Sequence, residues 1–253
     1  MTARGNRARG LARSLVWSYG TLWRRRRMVA FYAQFLRPGD LAFDVGSHVG
    51  NRVRAFRRLG ARVVAVEPQP DLVAVLHRIY GRDPDVMVEA RAVGARAGTA
   101  TLRIATRTPT VSTLVPSWME EVRTDRRFAS VRWDRELTVP LTTLDALVAR
   151  HGEPRFCKID VEGSELDVLR GLSTAVPALS FEYLPPVVDR AVACVTRLAE
   201  LGEYRFRHSP LETLRWADDA WLDADGMASA LRALASSAPP GDVYAVRSDA
   251  VRA

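Results

Sequence analysis

From residue 41 onward, short runs of β-branched and apolar residues alternate with stretches in which apolar positions recur every three or four residues. The short runs cover 41–45, 62–67, 86–93, 156–160 and 178–183. That alternation predicts βαβ units and a mainly parallel sheet. In PQPDLVAVLHRIYG, Asp71 is placed to cap a helix whose Leu72, Val75, Leu76 and Ile79 share one face and which Gly81 ends. In EGSELDVLRG, Ser164 and Asp167 have the spacing of a capping box, and Gly171 is the stop. Thr143 opens a shorter helix that runs to about Arg150. Two late runs, 204–208 and 242–247, predict an antiparallel edge hairpin in place of another βαβ half. Residues 106–133 lack periodicity and hold Pro109, Pro116, Trp118 and Trp133, a pattern that predicts a pocket cover.

The first run leads into a glycine-bounded loop, LAFDVGSHVG. A strand, a turn of this kind and a helix place backbone N–H groups beside a ligand at the carboxyl edge of the sheet. Dinucleotide enzymes use G-x-G-x-x-G there because a pyrophosphate must approach the backbone closely. Here the spacing is Gly46-x-x-x-Gly50, His48 stands where a glycine would be needed, and Asp44 would repel a phosphate. A cationic ligand reverses that argument. S-adenosylmethionine carries a sulfonium and an ammonium and no phosphate, so Asp44 favours it. Glu67 ends the next run, about 20 residues on, where an acidic side chain accepts hydrogen bonds from ribose hydroxyls. The predicted cofactor residues are Asp44, Gly46, Ser47, His48 and Gly50 in the loop, with Glu67 and Pro68 after the second run. Ala92 and Val93, at the end of the third run, are placed to flank the adenine, and Asp160 borders the methyl group. His48 is either a base or a polar lining residue.

Composition changes the picture in one respect. The chain has 253 residues and a net charge of +8, but residues 1–27 hold eight of the 37 basic residues and no acidic one. That leaves 29 basic against 29 acidic residues in the remainder, so the charge belongs to a tail. A neutral domain argues against nucleic acid as a partner. The tail suits packing on the domain or on a second subunit better than docking on an anionic membrane. Its apolar and aromatic residues from Trp17 to Leu36 need a covering surface, which either a homodimer or the domain itself would supply. Lys158 is the only lysine, and with the abundant alanine and valine this points to a GC-rich bacterial genome. Two cysteines, no apolar run near the ~20 residues that span a bilayer, and no secretion-signal pattern predict a cytoplasmic protein.

Several segments, taken together, resemble the FkbM-type methyltransferases: FDVGSHVG, VVAVEPQP, ARAVGARAGTATL, VPLTTLDALV and, most distinctively, CKIDVEGSELDVLRGL. The resemblance spans about residues 30–185. It departs at His48, where the family commonly has asparagine. It implies an α/β class I (Rossmann-like) methyltransferase fold, a seven-stranded mainly parallel sheet with an antiparallel last strand. The basic tail lies outside the resemblance; the organisation expected is a basic extension over residues 1–30, helical or partly disordered, and a methyltransferase domain over 31–253. The implied activity is S-adenosylmethionine-dependent O-methylation of a sugar, oligosaccharide or glycosylated metabolite, with a polyketide or other secondary metabolite as the alternative acceptor; the arginine tail leaves an RNA methyltransferase as a weaker reading.

Methyl transfer to an alcohol is an in-line displacement that requires removal of a proton from a barely acidic hydroxyl. Asp160 and Glu182 end neighbouring strands of a doubly wound sheet and are the predicted base and its partner. The same two carboxylates are the predicted ligands if Mg²⁺ takes part. His208 ends a late run and is a third catalytic candidate. Lys158 and Glu162 read as structural, pairing with each other or with the loop backbone, and Glu165 as a helix-dipole partner. Thr110, Ser112, Thr113, Trp118 and Trp133 are either acceptor-pocket lining or core.

Overall fold

The computed structural model describes residues 22–250; the part of the basic tail before residue 22, with four of its eight arginines, lies outside the described residues. Its first element is helix α1 (Leu22–Tyr32). Strand β1 (Leu41–Val45), helix α2 (Asn51–Arg58), β2 (Arg62–Val66), α3 (Pro70–Tyr80) and β3 (Val86–Glu89) follow. β1, β2 and β3 pair in parallel, with Asp44 opposite Ala65. Every residue of β1 is buried, because helices cover both faces of the sheet and remove the polar alternation of a half-exposed strand.

The expected strand over 86–93 is in fact two. It breaks after Glu89, and β4 (Ala92–Val93) joins a second sheet of three strands with β5 (Gly98–Ile104) and β6 (Arg135–Thr142). Sequence periodicity missed the antiparallel β5–β6 ladder, whose strands are separated by the 105–134 insertion. Within that insertion lies a short helix, α4 (Pro116–Glu121). It buries Trp118 in a satellite core with Val122, Phe128 and Leu184, and Trp133 donates its indole N–H to the Val111 carbonyl.

The chain then returns to the main sheet through α5 (Leu144–His151), β7 (Phe156–Ile159), α6 (Glu165–Arg170), β8 (Ala178–Tyr183), α7 (Val188–Leu201), β9 (Tyr204–Pro210), α8 (Ala224–Arg232) and β10 (Gly241–Arg247). The main sheet has the order β3-β2-β1-β7-β8-β10-β9, and β10 runs antiparallel to both of its neighbours. This is the class I methyltransferase fold, and the late antiparallel pair is as the sequence predicts.

Strand residues of one parity face α5, α6, α7 and α8; Phe43, Val45, Cys157, Ile159, Leu179, Phe181, Val243 and Ala245 belong to that core. Those of the other parity, Ala42, Val63, Ala65, Phe156, Ala178, Tyr244 and Val246, face α1, α2 and α3. The two-residue period of a strand therefore aims Asp44, Lys158, Glu182 and Asp242 at the second face. The segment from α1 covers that face itself. Met28, Phe31, Tyr32, Phe35 and Leu36 are buried, with Phe35 stacked on Phe156 at 4.9 Å.

Local signals are met unevenly. Thr143 caps α5, its hydroxyl oxygen accepting from Ala146 N–H at 3.1 Å. Asp71 is not the cap of α3: Gln69 holds that position, Pro70 takes the first helical residue, and Asp71 lies in the first turn. Ser164 precedes α6 but makes no capping bond. Glu165 reaches back instead and accepts from the N–H groups of Val161 and Gly163. Among the described residues, no helix is long and apolar enough to cross a membrane.

Candidate active site

The loop after β1 is held against β2 by its own backbone. Gly46 N–H and Ser47 N–H both donate to the Val66 carbonyl, at 2.9 and 3.0 Å. Gly46 is left-handed (φ 84°), and a Cβ there would run into the Asp160 carbonyl oxygen, so glycine lets the β1 and β7 loops meet. Gly50 is left-handed as well (φ 80°) and sits where α2 begins. Its carbonyl accepts the Tyr80 hydroxyl at 2.7 Å. His48, between them, is a non-glycine residue in the same region (φ 50°).

Two adjoining hollows open at this edge of the sheet. The larger, about 720 Å³, is lined by Asp44, Gly46, Ser47, His48, Asp160, Glu162 and Glu182 together with Asn51, Arg52, Arg107, Glu212 and Asp242. The smaller, about 60 Å³, is a slot between Glu67, Pro68, Ala92, Val93, Leu102 and Leu114. Gly46, His48, Pro109, Thr110, Asp160 and Glu162 border both. Of the residues singled out in the sequence for cofactor and catalysis, all reach one of these hollows except two. Gly50 shapes the turn from behind. His208 points elsewhere: its Nδ1 lies 2.8 Å from Asp218 Oδ2, and its ring packs edge-on against Tyr183.

Electrostatics divides the site. Asp44, 2 % exposed, has one carboxylate oxygen with no hydrogen-bond partner, and burial pushes its pKa up to about 6 against the pull of Arg52 and Lys158. Glu67 accepts from His48 N–H on one oxygen and from Gln69 N–H on the other, both at 2.9 Å. Burial still pushes it up to about 7. Each Glu67 oxygen keeps a second lone pair for a further donor. Burial lowers His48 to about 4, so its imidazole is neutral at physiological pH, with Nε2 buried and unpartnered.

Beyond β1 the charges crowd. Asp160, Glu162 and Glu182 each place a carboxylate oxygen within 4.8 Å of the others. Lys158, 1 % exposed, does not pair with Glu162 as its sequence position suggests; its Nζ sits 3.3 Å from Asp160 and 2.9 Å from Asp242. Burial alone would raise Asp160, but the Lys158 ammonium and the Arg52 guanidinium outweigh it and hold the carboxyl below its usual range. Glu162 and Glu182 are driven well above theirs, by burial and by the neighbouring carboxylates.

Sequence reasoning set Glu162 aside and missed Asn51, Arg52, Arg107, Glu212 and Asp242. The one available signal was Lys158: a single lysine among 36 arginines, inside a strand. Register, which puts Lys158 opposite Asp44 and Asp242 opposite Glu182, is not written in the local sequence.

The family model of the FkbM methyltransferase domain matches residues 44–190, which contain the loop, the Glu67 strand end and the carboxylate cluster. The chain belongs to the FkbM methyltransferase family. A curated relative, the hexuronic acid methyltransferase AglP of Haloferax volcanii, is 26 % identical over 180 residues, 67 % of this chain and 68 % of that protein. Among solved structures, a precorrin-6Y C5,15-methyltransferase from Geobacter metallireducens superposes with a TM-score of 0.46 at 11 % identity, covering 88 % of this chain and 87 % of that one. Fibrillarin from Aeropyrum pernix, with S-adenosyl-L-methionine bound, gives 0.45 at 11 % identity, covering 88 % and 76 %. As a member of that family the chain is a methyltransferase, and its strand order is that of the class I methyltransferase fold.

Proposed function

We propose that this methyltransferase transfers the methyl group of S-adenosylmethionine to a hydroxyl of a sugar, an oligosaccharide or a glycosylated metabolite. The observation that carries the reading is the carboxylate cluster of Asp160, Glu162 and Glu182, which borders the hollow that Asp44 and Glu67 suit to the cofactor. The hexuronic acid methyltransferase relative supports the carbohydrate class.

In this reading Asp44 faces the cationic amino-acid end of the donor, Glu67 takes the ribose hydroxyls, and the apolar slot of Ala92, Val93 and Leu102 receives the adenine. Glu182 is the base. It acts in its ionised form: burial and the neighbouring carboxylates raise its proton affinity, whereas Lys158 stabilises Asp160 as the anion. As the acceptor oxygen attacks the methyl carbon, its proton passes to Glu182. The S–CH₃ bond breaks with its electron pair left on sulfur, and a neutral thioether leaves. His48 lies at the junction of the two hollows as a neutral polar wall, and His208 stays out of the reaction.

A second reading involves Mg²⁺. Three carboxylate oxygens within 4.8 Å of one another form a hard oxygen donor set of the kind that cation takes. Asp160, Glu162 and Glu182 would hold it. When bound it would offset their repulsion and lower the pKa of an acceptor hydroxyl.

The test is release of S-adenosylhomocysteine from purified protein against a panel of sugars and glycosides, before and after chelation and with Mg²⁺ restored. An alkali-stable methyl ether is the expected product. No turnover with any glycoside, or a methyl group lost in mild alkali, would overturn hydroxyl methylation. Loss of activity on chelation, regained with Mg²⁺, supports the metal reading, and insensitivity removes it.

A further inference from the structure

The turn that carries Glu162 is unfavourable on its own. Glu162 is left-handed (φ 52°), and so is Gly163 after it (φ 94°). A residue with a side chain pays a steric penalty in that region. Glu162 also keeps a carboxylate oxygen within 4.8 Å of those of Asp160 and Glu182. Sterics and like charge both favour a relaxed turn with the Glu162 carboxylate swung away from the cluster. Something must hold it.

The insertion between β5 and β6 supplies that hold. Thr113, fully buried, donates its hydroxyl to the Glu162 carbonyl at 2.6 Å, and the same oxygen accepts from Val115 N–H at 3.0 Å. Its backbone is fixed to β5 in both directions. Arg103 N–H donates to the Thr113 carbonyl at 2.8 Å, and Thr113 N–H to the Arg103 carbonyl at 2.9 Å. Trp118 of α4 lies against Gly163, where a Cβ would sit 2.5 Å from the indole ring. The Gly163 carbonyl accepts from Arg190 of α7 at 3.1 Å. Arg190 is gripped in turn by both carboxylate oxygens of Glu121 and by the Ser117 hydroxyl, again on α4.

We propose that Thr113 is a positioning residue for methyl transfer: its hydroxyl, through the Glu162 carbonyl, keeps the Glu162 carboxylate in the cluster, and the insertion is the buttress of that turn. This deepens the hydroxyl-methylation reading and rests on it. Asp160 and Glu162 border both hollows whereas Glu182 borders only the larger, so Glu162 stands where donor and acceptor would meet. Thr113 borders neither hollow and acts only through the turn. Fixing the Glu162 carbonyl fixes the peptide plane that follows the residue, and a turn pinned there cannot swing its side chain out.

The experiment pairs Thr113→Val, which keeps the shape and removes the hydroxyl, with Thr113→Ser, which keeps the hydroxyl. With the glycoside that turns over fastest, Thr113→Val is expected to lower kcat roughly 10- to 100-fold, the order of cost of a small misplacement at a reacting centre. Its KM for S-adenosylmethionine should stay within a few fold, and Thr113→Ser should recover most of the rate. In a double-mutant cycle, Thr113→Val added to Glu162→Gln should change kcat by less than about threefold. Hydrogen exchange followed by mass spectrometry needs no acceptor: amides in 160–165 should exchange faster in Thr113→Val, with the rest of the main sheet unchanged. A normal kcat in Thr113→Val, a Thr113→Ser as slow as Thr113→Val, or losses that multiply in the cycle would each overturn the proposal. If Thr113→Val fails to fold, Arg190→Met, which removes the donor to the Gly163 carbonyl from a partly exposed position, takes its place in the same cycle. If no glycoside is methylated, the sugar reading falls, and the exchange rates decide the buttress alone: unchanged rates in 160–165 refute it.

Discussion

The two ends of the hollow handle negative charge in opposite ways. At the β1–β2 end, the buried carboxylates stand apart, and Glu67 is satisfied by two backbone N–H groups drawn from residues 48 and 69. Asp44 keeps one unpartnered oxygen. That end is preformed and wants one positive charge from a ligand. At the β7–β8–β10 end, Asp160 and Asp242 share the Lys158 ammonium, Glu162 and Glu182 crowd beside Asp160, and Arg52 helps hold Asp160 down. Carboxylates gathered this closely cannot all ionise, so that end retains protons or recruits a cation. A cofactor site gains from the first arrangement, because binding then needs little rearrangement. A proton-transfer site gains from the second, because repulsion sets one carboxylate apart as a base.

If that division is real, substitutions at the two ends should separate chemistry from binding. Glu182→Gln keeps the shape and removes the base; turnover is expected to fall by about 10²–10⁴, the usual contribution of a positioned base. S-adenosylmethionine affinity measured by calorimetry should change by no more than a few fold. A normal rate in Glu182→Gln would erase the assignment of chemistry to this end. Lys158→Met tests what holds the cluster together. Removing the one buried ammonium between Asp160 and Asp242 leaves two carboxylates uncompensated, and a loss of about 3 kcal/mol in denaturant unfolding is expected. Stability equal to that of the unsubstituted protein would mean that Lys158 does not hold the cluster together. Glu67→Gln belongs to the other end: donor affinity should drop roughly tenfold, the range for one charge-assisted hydrogen bond, while turnover at saturating donor stays near normal. A variant with a collapsed rate and unchanged affinity would invert the comparison.

The same contrast explains what could be read from the sequence. The proposed cofactor end is built almost entirely from residues 44–50, 67–68 and 92–93, on strands and turns whose spacing is local, so its members could be gathered from the sequence. The proposed catalytic end is assembled across the sheet. Asp160 and Glu182 were legible as strand ends, because neighbouring parallel strands put their carboxyl ends on one edge. Asp242 was not, since its place beside Glu182 depends on an antiparallel register that no local pattern specifies. Arg52 looked like any helix arginine, and Arg107 sat in a stretch without periodicity. His208, a strand-end histidine that sequence logic sets near the crevice, borders neither hollow and is tied to Asp218 by both its backbone N–H and its ring. The β5–β6 ladder escaped notice because its strands lie 30 residues apart, beyond the reach of hairpin signals.

A further effect concerns pH, and at the β1–β2 end it comes from two groups. Asp44 and Glu67 have folded-state pKa values of about 6 and about 7, above their ordinary 3.8 and 4.5. A carboxyl whose pKa is raised by folding binds its proton more tightly in the native state, so its contribution to stability is complete below the unfolded pKa and is lost as pH rises through the folded one. For these two groups that window runs from about pH 4 to about pH 7. Each contributes up to about 3 kcal/mol across it, an upper bound set by 1.36 kcal/mol per pKa unit. Groups with lowered values, such as Asp160 and Asp218, act in the opposite sense on the acid side, so the raw profile is a sum. The difference between the protein and Glu67→Gln isolates the Glu67 part: it should shrink from pH 5 to pH 8 in favour of the variant, read as unfolding free energy in urea. A cation in the hollow reverses the trend, because S-adenosylmethionine favours the ionised Asp44. Its stabilising effect on the melting temperature should therefore be larger at pH 8 than at pH 5. A donor that stabilises equally at both would mean that Asp44 already carries its charge in the free protein, and that the cofactor end is less strongly desolvated than its burial implies.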